Sequence, residues 1–385
     1  MQTASNFKIE TPTADARSAS RLASGLLALE GGTVYRGVLR GAAVDAEGDL
    51  IFTTAGTGWG EILTDPSYAG QIVVLTHPMA GNYRIDPSEL ESSRVHARAL
   101  IVSRLVTAPS GPGRSLDELL VEGGIPALTG VDTRALTLSL RRGAARRAVI
   151  RAAPTSDATA VAEALASPRW ESVDHVTAAA TRRPFRLEAT GARRGRAVLV
   201  DYGVKRSLLA ALTERGLEVV GLPPDASPDD VAAHLPDLVV LSPGPGDPSR
   251  MHAQITTAAA LAAAARAGGA PVLGVCLGHQ LLALAAGART QRLAVGHHGG
   301  NHAVIEAETG RVDIGAHNHE VAVIDDPALA AAGYRVSHRD LNDRTVEGLA
   351  HASGRIASVQ FHPEGAPGPI DASRVFDVAL AGALA

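Results

Sequence analysis

The chain has 385 residues, of which 45% are hydrophobic, and it carries a formal net charge of −4 at pH 7. A chain of this length and apolar content can bury a large core and is expected to form two domains. Its small charge, without a long run of one sign, argues against nucleic acid or an anionic membrane as a partner. The single cysteine excludes an internal disulfide bond, which fits a reducing compartment.

Neither a membrane anchor nor an export signal is predicted at the N-terminus or elsewhere. No stretch reaches the roughly 18 consecutive apolar residues of a membrane-spanning helix, and the N-terminal segment lacks the apolar centre of a signal peptide. We therefore expect a cytoplasmic protein. Residues 1–24 are polar and small without periodicity, and we expect them to form a flexible extension.

Residues 25–176 show a mixed pattern that predicts a smaller α/β domain. Short strands are indicated by TVYRGVLRG and GQIVVLTH, whereas DTRALTLSLRRG and DATAVAEALA have helical periodicity. The following residues, 177–195, have no clear period and are predicted to be a linker.

Residues 196–385 alternate short apolar runs with helical patterns. The runs AVLVDYG, LEVVGLP, DLVVLSPG and PVLGVC are separated by helical segments such as RSLLAALTERG. Continuous apolar strands separated by helices are typical of β-α-β units around a parallel sheet. We predict an open, mostly parallel sheet flanked by helices, with ligands bound at the carboxyl ends of its strands.

A loop containing two glycines follows one of these strands in LSPGPGDPS, residues 241–249. Gly244 and Gly246 can present backbone amides at the sheet edge, where such amides stabilise an oxyanion in acyl-transfer enzymes. A plain turn is the alternative interpretation of this loop.

Cys276, the single cysteine, lies between Gly274 and Gly278 in PVLGVCLGHQLLALA, where an apolar strand passes into an apolar helix. This layout predicts a nucleophile elbow, a strained turn that exposes its side chain at the sheet edge, with glycines that make room for neighbouring elements. The helix amides favour thiolate over thiol, and the amide of Leu277 would complete an oxyanion hole with Gly244. A cysteine packed as a small core residue is the alternative.

Histidines are concentrated in GHHGGNH, residues 296–302, and in HNH, residues 317–319, and His279 and His362 add to the count. A metal site is a rival interpretation of these histidines. No second cysteine or tight carboxylate set accompanies them, however, and their spacing does not match a ligand set on one element. We therefore predict no metal ligand in this chain.

The last predicted strand, IASVQFHPEG, supplies a candidate base for the cysteine. In an extended strand His362 and Glu364 point to the same side, and Pro363 between them is tolerated where no ladder hydrogen bond is needed. Glu364 would orient the His362 ring, which would take the proton of Cys276 and deliver it to a leaving amine.

These motifs together resemble a known family. SPGPGDP, GVCLGHQLLALAAGA, GHHGGNH and VQFHPEGAPGP are similar to class I glutamine amidotransferases and, within them, to the small subunits of carbamoyl-phosphate synthase. The N-terminal half resembles those subunits independently in GEILTDPSYAGQIV, GNY, ESSRVHARALIV and GVDTRALTLSLR. The resemblance extends over nearly all residues from 25 to 381.

The resemblance implies glutamine hydrolysis through a γ-glutamyl thioester on Cys276, with His362 as base, Glu364 as its orienting acid, and the amides of Gly244 and Leu277 as oxyanion hole. Ammonia would pass to a large synthetase subunit that binds ATP, bicarbonate and metal, so that this chain needs no cofactor. The residues implied around the glutamine are Ala55, Gly246, Gln280, Asn318, Glu320 and Val321.

Four positions depart from the family pattern. Arg84 follows GNY where the family usually has a glycine, and Gly365 follows HPE where it usually has an alanine. TTAGTGW places Ala55 where the family usually has a serine, and HNHEV places Glu320 where it usually has a glycine. A carboxylate in the pocket would repel the α-carboxylate of glutamine unless a cation pairs with it, and Arg84 or His317 are the expected partners.

Three functions therefore stay open from sequence. The first is a working small subunit. The second is a paralogue that keeps the Cys-His-Glu machinery for a different acyl or amide substrate in specialised metabolism. The third is a silent binding or regulatory subunit, against which the intact set of reactive residues argues.

Overall fold

The structure, a computed structural model, describes residues 23–143 and 146–383. The chain is divided into two compact units, Met1–Val173 and Asp174–Ala385. The predicted flexible extension, 1–24, lies outside the described residues except for its last two, which begin the first strand. Among the helices of the described ranges, none is long and apolar enough to cross a membrane.

The described part of the first unit contains strands and short helices in mixed order. The strands are β1 (Ala23–Leu29), β2 (Val34–Gly41), β3 (Ala46–Thr53), β4 (Gln71–Leu75), β5 (Met79–Ala80), β6 (Ala99–Val102), β7 (Arg104–Leu105), β8 (Pro126–Thr129) and β9 (Arg147–Ala152). The helices are α1 (Trp59–Thr64), α2 (Leu116–Glu122), α3 (Thr133–Arg141) and α4 (Asp157–Ala166).

Seven of these strands close into a barrel in the order β1-β2-β8-β6-β4-β3-β9. Neighbours among β3, β4, β6 and β8 are parallel, and the remaining pairs are antiparallel. In β4, Ile72 and Val74 pack in one core cluster, and Val73 and Leu75 pack in another. The strand is therefore buried on both faces, as its continuous apolar run predicts. Barrel closure was not predicted, because it depends on pairing between strands far apart in sequence.

The second unit contains ten strands and seven helices within the described residues. The strands are β10 (Phe185–Leu187), β11 (Gly195–Val200), β12 (Leu217–Leu222), β13 (Leu238–Leu241), β14 (Val272–Val275), β15 (Thr290–Glu306), β16 (Val312–Val323), β17 (Tyr334–Asp340), β18 (Val346–His351) and β19 (Ile356–Val359). The helices are α5 (Val176–Ala179), α6 (Arg206–Thr213), α7 (Pro228–Ala233), α8 (His252–Arg266), α9 (Leu277–Ala285), α10 (Pro327–Ala331) and α11 (Arg374–Ala383).

All ten strands form one sheet in the order β10-β12-β11-β13-β14-β19-β18-β16-β15-β17. Five neighbouring strands are parallel to one another: β12, β11, β13, β14 and β19. The other pairings are antiparallel. The prediction of a mostly parallel sheet is therefore wrong for half of the strands, because β10 and β15 to β18 form antiparallel pairs. Residues 177–195, predicted to be a linker, contain the edge strand β10.

Helices cover both faces of the parallel strands, as the apolar runs predict. In β11, Val198 and Val200 pack with residues of α8 and α9, whereas Ala197 and Leu199 pack with residues of α6 and α11. Side chains alternate between the faces of a strand, so a fully apolar run fits this layered arrangement.

The carboxyl ends of four parallel strands bring the candidate site together. The loop after β13 holds Gly244, the turn after β14 holds Cys276, and the segment after β19 holds His362. Lys205 follows β11 at the same edge and directly precedes the first residue of α6. Parallel topology thus assembles residues that are far apart along the chain.

Candidate active site

Cys276 occupies the turn between β14 and α9 with φ 52° and ψ −101°, a strained backbone for a residue other than glycine. A Cβ added to Gly274 would lie 2.8 Å from backbone atoms of Gly278. A Cβ added to Gly278 would lie 2.2 Å from the carbonyl oxygen of Leu241. Both glycines are therefore required by close backbone approach, and the predicted strand-turn-helix elbow is confirmed.

The thiol of Cys276 is buried, whereas the elbow pattern led us to expect an exposed side chain; the residue is only 2% exposed. Its Sγ lies 3.9 Å from the backbone oxygen of Asn318 and 3.5 Å from Nε2 of Gln360. Residues from β16 and from the segment after β19 thus cover the sulfur. The sequence analysis did not identify Gln360 as a site residue. Its position two residues before His362 was the available signal.

His362 and Glu364 form the predicted pair, but for a different reason. Strand β19 ends at Val359, so neither residue lies in an extended strand. A turn closed by the Gly365 N–H donating to the His362 carbonyl brings the ring Nδ1 to 2.7 Å from Glu364 Oε1. His362 is further held by its N–H, which donates to the Ala316 carbonyl at 2.8 Å.

Lys205 is a member of this group that the sequence analysis missed. Its Nζ lies 3.5 Å from Glu364 Oε1 and donates to the carbonyl oxygens of Gly365 and Ala366 at 3.2 and 2.7 Å. The residue is only 1% exposed. Since the chain has only two lysines, a lysine just after an apolar strand was the available signal.

The charges of this group stabilise one another despite their burial. Burial opposes the charge of His362, but the Glu364 carboxylate outweighs it and raises the pKa of His362 to about 10. Burial likewise opposes ionisation of Glu364, yet His362 and Lys205 lower the pKa of Glu364 to about 2. At neutral pH the pair is therefore an imidazolium beside a carboxylate.

His362 presents its second ring nitrogen, Nε2, without a hydrogen-bond partner among the described residues. The Cys276 side chain contributes to the raised pKa of His362, so the sulfur lies near this ring. Catalytic hydrogen bonds are often long before substrate binds. A protonated Nε2 beside the sulfur can stabilise a thiolate and later donate its proton to a leaving group.

Gly244 and Leu277, the two predicted oxyanion residues, lie in the loop after β13 and at the start of α9, which are hydrogen-bonded to each other. Leu277 is the first residue of α9, so its N–H has no acceptor within the helix. The Gly278 N–H donates to the carbonyl of Ser242, which joins this helix end to the loop that holds Gly244. A Cβ on Gly244 would lie 2.3 Å from the Tyr202 carbonyl oxygen, so only glycine fits there. Gly246 follows with φ 109°.

Glu320 has cationic neighbours, but neither of the two that were expected. Its Oε1 lies 2.7 Å from Nε2 of His298, and its Oε2 lies 3.5 Å from Nη2 of Arg292. Arg84 instead pairs with Glu118 of its own unit, and His317 pairs with Glu347. Register explains the difference, because His298 lies on the neighbouring strand β15, opposite Asn318.

The remaining predicted substrate residues are held by bonds within the chain. Asn318 Oδ1 accepts a hydrogen bond from His298 Nδ1, 2.9 Å away. Gln280 donates through Nε2 to the Val321 carbonyl at 2.7 Å and to Gln360 Oε1 at 3.0 Å. These contacts shape one wall beside the cysteine. Ala55 belongs to the first unit, in the loop after β3, and its N–H donates to Thr53 Oγ1.

The other predicted histidines separate onto two faces of the β15–β16 hairpin. His298 faces Asn318 and Glu320. On the opposite face lie His297, His302, His317 and His319, whose neighbouring rings have centroids 4.7 to 5.8 Å apart. His279 lies apart from them and bonds Ser358 Oγ at 2.9 Å.

This arrangement has the parts required for acyl transfer through a covalent intermediate. Cys276 places a thiol on a strained elbow, Glu364 holds the His362 ring, and backbone amides lie at the N-terminus of α9. Such a set cleaves an amide or ester by forming and then hydrolysing a thioester.

Two family models match this chain. "Glutamine amidotransferase class-I" matches residues 198–381, and "Carbamoyl-phosphate synthase small chain, CPSase domain" matches residues 27–150. The carbamoyl phosphate synthase small chain of Chlorobaculum tepidum is 41% identical over 353 residues, which are 91% of this chain and 95% of that protein. The small chain of Methanopyrus kandleri is 40% identical over 361 residues, which are 92% of this chain and 98% of that protein.

Proposed function

Since this chain belongs to the carbamoyl phosphate synthase small chain family and is its glutamine-hydrolysing amidotransferase subunit, we propose that Cys276, His362 and Glu364 carry the hydrolysis. The observation that supports this assignment is the strained elbow at Cys276 beside the buried His362–Glu364 pair. The family also implies that the ammonia serves carbamoyl phosphate synthesis.

In the first half of the proposed reaction, the Cys276 thiolate attacks the side-chain amide carbon of glutamine. The carbonyl electron pair moves onto oxygen, which accepts hydrogen bonds from the amides of Leu277 and Gly244. The imidazolium of His362 donates its proton to the amide nitrogen, the carbon–nitrogen bond breaks, and ammonia leaves. A γ-glutamyl thioester and a neutral imidazole remain.

In the second half, water attacks the thioester while neutral His362 takes one of its protons. The carbon–sulfur bond breaks, the new γ-carboxyl group releases the other proton of the water to solvent as glutamate leaves, and the thiolate–imidazolium state returns. Glu364 orients the ring and stabilises its charge in both halves, and Lys205 holds Glu364 in place. Both half-reactions balance without any cofactor bound to this chain.

A large synthetase subunit is the proposed partner of this chain. Its part is to bind ATP, bicarbonate and metal and to receive the ammonia, because this chain's proposed chemistry ends with ammonia and glutamate. Copurification of the chain with the product of a candidate large-subunit gene is the direct test of this partner.

The alternatives of a different acyl substrate or a silent subunit find no support in the comparisons. The argument for a different substrate depended on an unpaired Glu320 carboxylate in the glutamine pocket. His298 and Arg292 pair with that carboxylate, so its charge is compensated inside the protein. We propose that the pocket accepts glutamine with Glu320 in this paired state.

A glutamine-shaped electrophile, such as a diazoketone analogue, is expected to modify Cys276 once per chain. The analogue places its reactive carbon where the amide carbon of glutamine would lie, next to the sulfur. Intact-mass spectrometry should show one adduct, with glutamine protecting and Cys276→Ser unlabelled. An adduct that glutamine does not prevent would contradict a glutamine site at this sulfur.

Combined Glu320→Gly and Ala55→Ser substitutions are expected to give no gain in glutamine hydrolysis. Loss of the carboxylate leaves buried His298 without its acceptor, which costs about 1–3 kcal/mol. We expect kcat/KM for glutamine to stay within about tenfold of wild type or to fall. Glu320→Gln, which keeps an acceptor for His298, is the matched control. A gain of tenfold or more in the double variant would favour an altered substrate.

A further inference from the structure

One face of the β15–β16 hairpin gathers imidazoles around a single buried carboxylate. His297 lies directly opposite His319 in the antiparallel register, and His317 precedes His319 by two residues on the same face. Glu347 reaches this group from β18. All four residues are buried, and their ligand atoms lie within 4.8 Å of one another.

Three inward nitrogens converge on the two oxygens of Glu347. His317 Nε2 lies 2.9 Å from Oε2, whereas His297 Nδ1 and His319 Nε2 lie 3.7 and 3.8 Å from Oε1. The last two distances are too long for hydrogen bonds. Among the described residues, neither His297 Nδ1 nor His319 Nε2 has a hydrogen-bond partner. Buried polar atoms without partners are rare in folded proteins and require an explanation.

In each of these three histidine rings, the other nitrogen, here called the outer nitrogen, does not face Glu347 and already lies beside a hydrogen-bond acceptor. His297 Nε2 lies 2.8 Å from Asp343 Oδ2, His317 Nδ1 lies 3.2 Å from the Gly315 carbonyl, and His319 Nδ1 lies 2.9 Å from the Val321 carbonyl. The outer nitrogens of His297 and His319 can therefore carry the ring proton, which turns the lone pair of each neutral ring towards Glu347, whereas His317 Nε2 lies within hydrogen-bond distance of the Glu347 carboxylate. Ligand histidines in metal sites are held by outer acceptors in this way.

A lone pair directed at a carboxylate is unfavourable, and positive charge at the centre of the cluster removes this cost. Protons on the unpartnered nitrogens of His297 and His319 would supply that charge only as buried imidazolium ions, which are costly in a medium of low dielectric. One divalent cation satisfies all four groups at once. We propose that His297, His317, His319 and Glu347 bind a divalent transition-metal ion of the zinc class.

The donor set and the distances favour zinc. Imidazole and carboxylate ligands suit zinc, and a tetrahedral ion with bonds of about 2.0–2.1 Å separates its ligand atoms by about 3.3 Å. The three nitrogen–oxygen distances of 2.9, 3.7 and 3.8 Å bracket that value. Four protein ligands fill a tetrahedral site, so the ion is structural and takes no part in glutamine hydrolysis.

Such an ion would hold the wall of the glutamine pocket. Asn318 lies between two of the ligands, and its carbonyl oxygen is 3.9 Å from the Cys276 sulfur. The ion ties β15 and β16 to β18 through Glu347. This role departs from the sequence-based prediction of no metal ligand, because the four ligands come from three strands and only His317 and His319 are close in sequence.

The first test measures metal binding by the full chain. Protein stripped with a chelator is loaded with zinc and dialysed, and zinc is counted by plasma mass spectrometry. We expect close to one zinc per chain, a higher Tm than in the stripped protein, and visible absorption of a tetrahedral complex when cobalt(II) replaces zinc. Less than about one-tenth of an equivalent after loading would overturn the proposal and leave a hydrogen-bonded charge cluster in its place.

The second test removes one ligand. His317→Gln keeps a polar side chain of similar size, and we expect it to weaken zinc binding by more than about 100-fold, since even loss of an outer partner costs 10–100-fold. His351→Gln, which changes a histidine of β18 outside the cluster, should bind zinc as wild type does. Equal zinc binding by His317→Gln and wild type would contradict the site. If His317→Gln does not fold, the wild-type zinc and cobalt measurements still decide.

Discussion

Replacing Cys276 with serine is expected to lower glutamine hydrolysis by at least about 10³-fold, because the reaction loses its nucleophile. Serine is nearly isosteric, so the strained elbow and its flanking glycines should be retained. A hydroxyl is not ionised at neutral pH, and His362, already an imidazolium, is poorly placed to remove its proton. The measurement is glutamate release by the purified chain, with and without its large-subunit partner.

Two controls separate lost chemistry from lost structure in this variant. Its Tm should stay within a few degrees of wild type. In a complex with the large subunit, added ammonia should restore carbamoyl phosphate synthesis, because it bypasses the hydrolysis step. Retention of more than about one-tenth of the glutaminase rate would exclude a thioester on Cys276, which is the only cysteine of the chain.

Replacing His362 with asparagine is expected to cut turnover by roughly 10²–10⁴-fold, the usual contribution of a positioned proton donor and acceptor. Asparagine keeps a polar group near Glu364 but cannot carry a proton between sulfur and the leaving nitrogen. Glu364→Gln should cost less, because Glu364 orients the ring and stabilises its charge without transferring the proton. Steady-state kcat and KM for glutamine are the quantities to compare.

A pH profile distinguishes this role of Glu364 from a structural one. Wild-type activity should fall as pH rises through the pKa of His362, about 10, because the imidazolium that protonates the leaving nitrogen is lost. Glu364→Gln removes the charge that raises this pKa against the effect of burial, so the alkaline limb should move to lower pH. An unchanged limb together with full activity in His362→Asn would contradict the proposed proton transfer.

The site could be predicted from sequence as far as it depends on local chain geometry. The glycines beside Cys276 and the strand-to-helix pattern indicate an elbow because tight turns and close backbone approach leave short-range signatures. The His362–Glu364 contact was also predicted, since two residues so close in sequence lie within reach in a strand or in a turn. The predicted reason was wrong, because strand β19 ends before either residue.

Contacts between distant segments could not be predicted in the same way. Lys205 contacts Glu364, and its bond to Gly365 spans a separation of 160 residues, because the parallel strands β11 and β19 end at the same edge of the sheet. The partners of Glu320 follow from the register of β15 against β16, which places His298 opposite Asn318. Register depends on the whole sheet, so Arg84 and His317 were reasonable but incorrect choices.

The sequence by itself determined which cysteine and which histidine are the candidates for nucleophile and proton carrier, and the membership of both halves in one family. Those features depend on residue type and on short spacing along the chain, and both can be read directly from the sequence. Only the tertiary structure decided the barrel of the first unit, the antiparallel half of the second sheet and the convergence of His297, His317 and His319 on Glu347. These features arise when strands pair, and the pairing is selected by the summed burial of many side chains rather than by any local motif.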